Sequence, residues 1–261
     1  MTTDFLNIAI EASRKAGKLI LDLFHRDIKI MIKGDQSITT EADLKSDSLI
    51  KNIIKENFPT HDILSEESGK ENHSSDYLWV IDPLDGSTNF SVRNPFFAVS
   101  IGLVRKNQPL LGVVYSPFQD ELFKAELNRG AYLNNKFITV NEEATLKNSF
   151  LAFCNGRDLN SRKKMIKIYE KLKIENNKVR QVGAAALELC YVASGRFGAF
   201  IMPGLNSWDV FAGALIVKEA NGITTDFKNN PFTLTSSDII ASTPSIHPIL
   251  LNFVKNTSKK D

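Results

Sequence analysis

One short segment, residues 79–90, limits the folds open to this chain more than any other. An apolar strand runs directly into Asp82, Pro83 and Asp85. Because proline cannot donate a hydrogen bond within a β-sheet, we expect the strand to end at Pro83 and a turn to follow. Such a turn can direct Asp82 and Asp85 at one point, with the carbonyl of Leu84 between them. Carboxylate and carbonyl oxygens are the ligands that suit Mg²⁺.

The residues after this turn have the character of an anion-binding site. Gly86 lets the backbone approach a ligand closely, because glycine has no side chain. Ser87 and the two small polar residues after it favour the start of a short helix, whose free N–H groups attract an anion. The alternative is an ordinary surface turn, because proline, aspartate and glycine are also common turn residues. Both interpretations fit this segment taken alone.

Three other acidic segments could contribute to the same site. Glu66 follows a short apolar strand, and if that strand lies beside the one ending at Ile81, their acids meet at one sheet edge. Asp43 and Asp209 each fall in the first turn of a predicted helix, and Ser207 is the expected N-cap of the second helix. The alternatives are a solvated loop for Glu66 and favourable capping or helix-dipole positions for Asp43 and Asp209.

The bulk composition is that of an ordinary globular protein. The 261 residues suit a single domain, 1–261, with a join between packed halves near residue 145. A net charge of +2 is too small to favour binding to nucleic acid. Two cysteines, Cys154 and Cys190, favour free buried thiols in a reducing compartment. With no signal peptide and no apolar run near the ~20 residues of a membrane span, we expect a cytoplasmic protein without membrane association.

The pattern of predicted elements changes near residue 145. Before it, a helix near the N-terminus and a second one over about residues 42–57 precede three consecutive strands, at 96–104, 110–115 and 121–125. These strands are joined by short turns, which predicts a largely antiparallel sheet. After residue 145, short strands alternate with helices, predicted at 161–172, 184–194, 207–220 and 245–253. The whole pattern indicates an α+β fold.

Together these segments resemble the inositol monophosphatase family, which also holds bacterial SuhB-type proteins and related sugar and nucleotide phosphatases. Residues 79–90 resemble the first family signature, and residues 208–213 with 218–222 resemble the second. Residues 66–68 match its Glu-Glu-Ser element, residues 39–43 approximate its Thr-x-x-Asp-type element, and residues 183–185 resemble its substrate loop. The resemblance implies a layered αβαβα sandwich of the inositol monophosphatase/fructose-bisphosphatase type. It also implies Mg²⁺-dependent hydrolysis of phosphate monoesters.

The resemblance further implies a role for each residue of the site. Ser87, paired with Asp43, would position and deprotonate the attacking water, and Lys33 loosely matches a lysine of a mobile loop at the metal site. The implied catalytic residues are Asp43, Glu66 and Ser87. The implied metal ligands are Glu66, Asp82 and the Leu84 carbonyl for one ion, Asp82, Asp85 and Asp209 for a second, and Glu66 for a weaker third. The implied substrate contacts are Gly86, Ser87, Gly183, Ala184, Ala185 and Asp209.

One position departs from the family pattern. Inositol-hydrolysing members carry a glutamate seven residues before the acid that matches Asp209, and it contacts the hydroxyls of the ligand. Here that position is Met202, which cannot accept those hydrogen bonds as a carboxylate does. Inositol 1-phosphate or another sugar or polyol phosphate is the expected substrate. Histidinol phosphate, fructose 1,6-bisphosphate and a nucleotide 3′-phosphate are alternatives.

The resemblance also bears on partners. Family members are commonly homodimers, which implies a homodimer here. A function of a different class is a SuhB-like role as a regulatory partner of RNA polymerase or of ribosome assembly. The acidic site and the small net charge favour the phosphatase.

Overall fold

The computed structural model describes residues 2–27, 29–32, 38–142 and 144–257, so that Lys33 lies outside the described residues. The helices are α1 Thr2–Phe24, α2 Glu41–Asn57, α3 Ser87–Ser91, α4 Leu159–Glu175, α5 Ala185–Ala193, α6 Ser207–Glu219 and α7 His247–Thr257. The first ten strands are β1 Ile30–Ile32, β2 Ile38–Thr40, β3 Asp62–Ser65, β4 Gly69–Glu71, β5 Tyr77–Asp85, β6 Ala98–Arg105, β7 Gln108–Ser116, β8 Glu121–Glu126, β9 Ala131–Leu133 and β10 Lys136–Ile138. The other strands are β11 Leu151–Phe153, β12 Val179–Arg180, β13 Ala199–Pro203, β14 Ile223–Thr225 and β15 Asp238–Ser242.

A large sheet of eight strands, ordered β10-β9-β8-β7-β6-β5-β3-β4, forms the first half of the molecule. The predicted meander is confirmed, because β6, β7 and β8 pair in antiparallel fashion. β3 and β5 pair in parallel, the one parallel pair of this sheet in the described residues. The carboxyl ends of β3 and β5 therefore point to the same edge, as the sequence predicts.

The expected end of the strand at Pro83 is wrong, because β5 continues to Asp85. Asp82 pairs with Ser100 and Asp85 pairs with Ala98, so Pro83 and Leu84 are accommodated by a shift in register. A β-bulge leaves the extra residue unpaired, so the missing N–H of proline costs no hydrogen bond of the ladder. The bulge keeps both acids on the strand while it changes the direction of the chain between them.

A smaller sheet of five strands, ordered β12-β11-β13-β15-β14, forms the second half. Its first three strands are parallel, and β15 runs antiparallel to both of its neighbours. Helices separate and cover the two sheets: α1 and α2 pack on the outer face of the large sheet, α5 and α6 lie between the sheets, and α4 and α7 cover the small sheet. The layered αβαβα sandwich is therefore confirmed.

The central helix layer approaches the large sheet very closely. A Cβ atom on Gly112 of β7 would lie 2.6 Å from the carbonyl oxygen of Ala212 in α6. Only glycine allows this approach, which brings the N-terminus of α6 to the edge where β3 and β5 end. Cys154 and Cys190 are free and buried, as predicted. None of the helices in the described part of the chain is long and apolar enough to cross a membrane.

Candidate metal centre and active site

The parallel pair of β3 and β5 brings two acids together at one sheet edge. Ser65 lies opposite Ile81, and the N–H of Glu66 donates to the carbonyl of Ile81 over 3.2 Å. Glu66 and Asp82 therefore follow directly after paired residues of neighbouring strands. The adjacency expected from the two apolar strands is present.

The third acid of the cluster, Asp209, comes from the first turn of α6. The N-cap of α6 is Asn206, one residue before the expected Ser207. One carboxylate oxygen of Asp209 accepts a 3.0 Å hydrogen bond from the N–H of Asn206, which closes the start of the helix. Asp209 thus caps its helix, as the simpler interpretation held, and also faces the other two acids.

Carboxylate oxygens of Glu66, Asp82 and Asp209 lie within 4.8 Å of one another. Burial raises the pKa of Asp82 well above its usual value, and repulsion from Glu66 and the other acids raises it further. Burial likewise raises the pKa of Asp209 to about 6. Crowded, buried, like-charged oxygens are costly unless a cation neutralises them. The cluster therefore has the hard-ligand chemistry and the excess negative charge that suit a divalent metal ion.

A cation of the protein, Arg157, already contacts this cluster. Its Nη2 atom lies 2.9 Å from Oε1 of Glu66 and 3.4 Å from Oδ1 of Asp209. These acids hold the pKa of Arg157 above its usual value, although burial alone would lower it. The sequence patterns did not indicate Arg157, because it lies in the loop between β11 and α4, far along the chain from Glu66.

Asp85 lies beside the cluster and holds the start of α5. Its two carboxylate oxygens accept hydrogen bonds from the backbone N–H groups of Ala185 at 2.9 Å, Ala186 at 2.8 Å and Leu187 at 3.3 Å. Burial raises the pKa of Asp85 to about 8, and the charge of Asp209 adds to this effect. The structure thus joins a predicted metal ligand to the predicted substrate loop, a contact that no local pattern indicates.

Ser87, Asp43 and Thr40 form a partly buried hydrogen-bond chain next to the cluster. The hydroxyl of Ser87 donates to Oδ1 of Asp43 over 2.5 Å, and it also lies 2.9 Å from the carbonyl oxygen of Leu84. Oδ2 of Asp43 accepts from the N–H of Thr40 at 2.8 Å, which caps α2. Burial raises the pKa of Asp43 to about 6, although these hydrogen bonds oppose the rise. The pairing of Ser87 with Asp43 that the resemblance implies is present as a contact.

Two glycines shape the backbone around this chain. Gly86 has φ of +92°, and a Cβ atom there would lie 3.0 Å from the carbonyl oxygen of Phe96 and 3.1 Å from Cβ of Ala184. Gly183 has φ of +95°, a conformation that favours glycine. Asn89 fixes the substrate loop, because its Nδ2 donates to the carbonyl of Val182 over 2.9 Å. Residues 86–87 and 183–185, the predicted phosphate and substrate contacts, therefore lie side by side.

A buried glutamate of α5 forms a hydrogen bond with the backbone of the substrate loop. Glu188 accepts hydrogen bonds from the N–H of Val182 at 3.1 Å and from the thiol of Cys154 at 3.1 Å. Burial raises its pKa to about 8, so it carries little charge at neutral pH. An acid at this position of α5 was not predicted, because its neighbours on the helix are apolar.

An open cleft of about 660 Å³ adjoins the acid cluster through Arg157, which lines the cleft and contacts Glu66 and Asp209. Its lining includes Thr88, Arg157, Arg162, Gln181 and Met202. Met202 lies in β13, only 6% exposed, and presents an apolar wall to the cleft. The departure from the family pattern therefore falls inside the cleft next to the acids.

The comparisons with known proteins agree with this geometry. The model of the inositol monophosphatase family matches residues 1–258. The chain belongs to the inositol monophosphatase family. It is 38% identical over 259 residues to the Nus factor SuhB of Pasteurella multocida, covering 96% of this chain and 95% of that protein. It is 37% identical over 250 residues to inositol monophosphatase 1 of Solanum lycopersicum, covering 93% and 92%.

Solved structures of the inositol monophosphatase family have the same fold. The crystal structure of the extragenic suppressor protein suhB from Bartonella henselae superposes with a TM-score of 0.91 at 32% sequence identity. The match covers 97% of this chain and 98% of that one. Membership of the inositol monophosphatase family makes the protein a phosphoric monoester hydrolase, and the family model and the acid cluster together indicate a metal-dependent one.

Proposed function

We propose that this protein is a Mg²⁺-dependent phosphatase that hydrolyses a small-molecule phosphate monoester with water as the nucleophile. The observation that carries this proposal is the approach of three buried or half-buried carboxylates, Glu66, Asp82 and Asp209, to within 4.8 Å. A phosphate monoester is dianionic and repels a hydroxide ion. A bound Mg²⁺ would neutralise this charge, lower the pKa of a coordinated water and stabilise the departing alkoxide.

The oxygen ligands available fit two main sites and a weaker one. Glu66, Asp82 and the carbonyl of Leu84 would hold the first ion. Asp82, Asp85 and Asp209 would hold the second, because a carboxylate that accepts backbone N–H bonds still has lone pairs to offer. Glu66 would also serve the weaker third site. Arg157 would have to release Glu66 and Asp209 when these acids bind metal.

Ser87, Asp43 and Thr40 would handle the proton of the attacking water. The 2.5 Å hydrogen bond from Ser87 to Asp43 orients the hydroxyl so that its oxygen can accept from a water on the other side. A pKa of about 6 leaves Asp43 mostly ionised near neutral pH, so it can take up the serine proton as the hydroxyl accepts one from water. The hydrogen bonds from Thr40 keep Asp43 in place.

Backbone groups would bind the phosphate and the alcohol. Gly86 and Ser87, at the start of α3, lie beside residues 183–185 at the start of α5, and their N–H groups would hold the phosphate. Asp209 would contact a substrate hydroxyl. The alcohol itself would lie in the cleft beside Met202, and we propose a sugar or polyol phosphate, with histidinol phosphate, fructose 1,6-bisphosphate and a nucleotide 3′-phosphate as alternatives.

The test is a phosphate-release assay with Mg²⁺ across inositol, sugar, histidinol and nucleotide monophosphates. Wild type should release phosphate from at least one of them, and Asp85→Asn should lose most of the turnover. Asn retains one acceptor oxygen for the N–H groups of α5, so circular dichroism should show a folded variant. Lys163→Gln, an exposed change on α4, is the control. Unchanged phosphate release by folded Asp85→Asn would contradict the proposal.

A second candidate function rests on the relatives named Nus factor SuhB, which match this chain over nearly its whole length. A regulatory role with RNA polymerase or in ribosome assembly would use the protein surface and would not require turnover. It predicts that the Asp85→Asn protein still supports cell growth and co-purifies with RNA polymerase. Loss of the cellular function in that variant would favour the enzymatic role.

We also propose an oligomeric state, a domain organisation and a location for the protein. We propose a homodimer of single-domain subunits, each spanning residues 1–261, in the cytoplasm. Two sheets that share one layer of helices, α5 and α6, support the single domain. Buried free thiols at Cys154 and Cys190 fit a reducing compartment. Light scattering would test the dimer, and a monomer at micromolar concentration would contradict it.

A further inference from the structure

The cleft beside the acid cluster carries an unusual balance of charge for a site that would receive a neutral alcohol. Arg157 borders the cluster, and Arg162 lies further along the same cleft, in the first turn of α4. Among the described lining residues there are two guanidinium groups and no carboxylate. The wall formed by Met202 offers no strong acceptor to the hydroxyls of a polyol.

The two arginines differ in what they already bind. Arg157 is shared between Glu66 and Asp209. Arg162 is exposed, and the ion pairs of the described residues in this segment involve Arg157 and Lys164 but not Arg162. The nearest acid along the helix is Asp158, whose oxygens accept hydrogen bonds from Asn160 and Ser161 at the start of α4. The guanidinium of Arg162 is thus available to a ligand.

Two amide side chains, those of Asn155 and Gln181, also line the cleft. Nδ2 of Asn155 donates to Oε1 of Gln181 over 2.9 Å, which fixes both amides. This pairing leaves the NH₂ group of Gln181 available to donate to a ligand in the cleft. Arg162 and Gln181 both line this cleft, and a planar guanidinium together with an amide donor can match the oxygens of a phosphate group.

We infer that the preferred substrate carries a second phosphate on its alcohol part, and that Arg162, with Gln181, binds this second phosphate. The inference rests on the proposed function, because it takes the first phosphate to bind at the acid cluster. The class of substrate is a small sugar or polyol with two phosphates. Arg162 would determine specificity without touching the reacting atoms.

The test compares the same sugar with one and with two phosphates. Values of kcat/KM for fructose 1-phosphate and fructose 1,6-bisphosphate would be measured at fixed free Mg²⁺ with wild type, Arg162→Gln and Lys163→Gln. Wild type should prefer the bisphosphate about tenfold, equivalent to about 1.4 kcal/mol, through a lower KM. Arg162→Gln should lose most of this preference. Lys163→Gln removes the same charge from the next residue, which does not line the cleft, and should keep it.

The outcomes separate the two proposals. Hydrolysis of both substrates with equal kcat/KM, or an unchanged preference in Arg162→Gln, would overturn the inference and leave the phosphatase intact. If no substrate releases phosphate, the proposed function fails, and isothermal titration of both sugar phosphates then tests the subsite directly. Tighter binding of the bisphosphate that disappears in Arg162→Gln supports the subsite, and equal binding overturns it.

Discussion

If the acid cluster binds a divalent cation as proposed, Arg157 competes with the cation for the same carboxylates, so replacing Arg157 by Gln should change stability and metal affinity in opposite directions. The guanidinium lies 2.9 Å from Glu66 and 3.4 Å from Asp209, and its side chain is 32% exposed. A hydrogen bond to a charged group contributes about 1.5–3 kcal/mol, and an exposed ion pair contributes about 0.2–1 kcal/mol. For this half-buried arrangement we expect about 1–2 kcal/mol in total.

Without metal, Arg157→Gln should therefore lower Tm by about 2–8 °C, because 1 kcal/mol corresponds to about 2–4 °C in a protein near this size. A cation no longer has to displace the guanidinium, so the variant should bind Mg²⁺ about 5–30 times more tightly. Saturating Mg²⁺ should then remove most of the difference in Tm. Thermal unfolding with EDTA or Mg²⁺, together with isothermal titration of Mg²⁺, measures both effects.

The matched control is Arg162→Gln, which removes the same charge from the same cleft without breaking a contact with Glu66 or Asp209. It should leave Tm in EDTA and the Mg²⁺ affinity close to those of wild type. The reasoning would be refuted if Arg157→Gln bound Mg²⁺ no more tightly than wild type. Equal destabilisation of that variant with and without Mg²⁺ would refute it as well.

Three further predictions concern the proton pathway, pH and the cleft. Ser87→Ala should lower kcat about 100-fold or more while the protein stays folded, and Ser87→Thr should retain most of it in the phosphate-release assay. Burial raises the pKa of Asp85 to about 8, whereas it is about 3.9 in an unfolded chain. Between these two values the folded protein keeps a proton that the unfolded chain loses, so the free energy of unfolding decreases as pH rises through this range. Tm in EDTA should thus fall between pH 6 and pH 8, and a flat profile would count against the raised pKa. Met202→Glu should raise kcat/KM for inositol 1-phosphate relative to fructose 1,6-bisphosphate; an unchanged ratio would show that this wall does not select the alcohol.

The sequence predicts those parts of the site that depend on local chemistry. Two apolar strands that each end in an acid indicated the edge where Glu66 and Asp82 meet, and β3 and β5 do pair there. The helix predicted from about residue 42 is present as α2, which begins at Glu41 with Thr40 as its N-cap, because capping and first-turn preferences act over three or four residues. An acid in the first turn of a helix is explained by the helix alone, so only the approach of Asp209 to Glu66 and Asp82 in space makes it a candidate metal ligand.

The parts that the sequence did not predict depend on partners far along the chain. The bulge at Pro83 exists because β6 pairs with β5 on both sides of it, and the strand pattern of residues 79–85 gives no sign of that pairing. Arg157 reaches Glu66 across 91 positions of the sequence. No periodicity or spacing rule relates two residues at that separation, so the cation that contacts the acid cluster could be found only from the fold.

The contact between Asp85 and α5 has a consequence for how metal and substrate binding are coupled. Asp85 accepts from three N–H groups of the first turn of α5, and that turn directly follows the loop at Gly183. Glu188, one turn further along α5, holds the same loop through Val182. If Asp85 moved toward a bound cation, the first turn of α5, whose N–H groups it accepts from, would move with it. Metal binding and the position of the substrate loop should therefore be coupled.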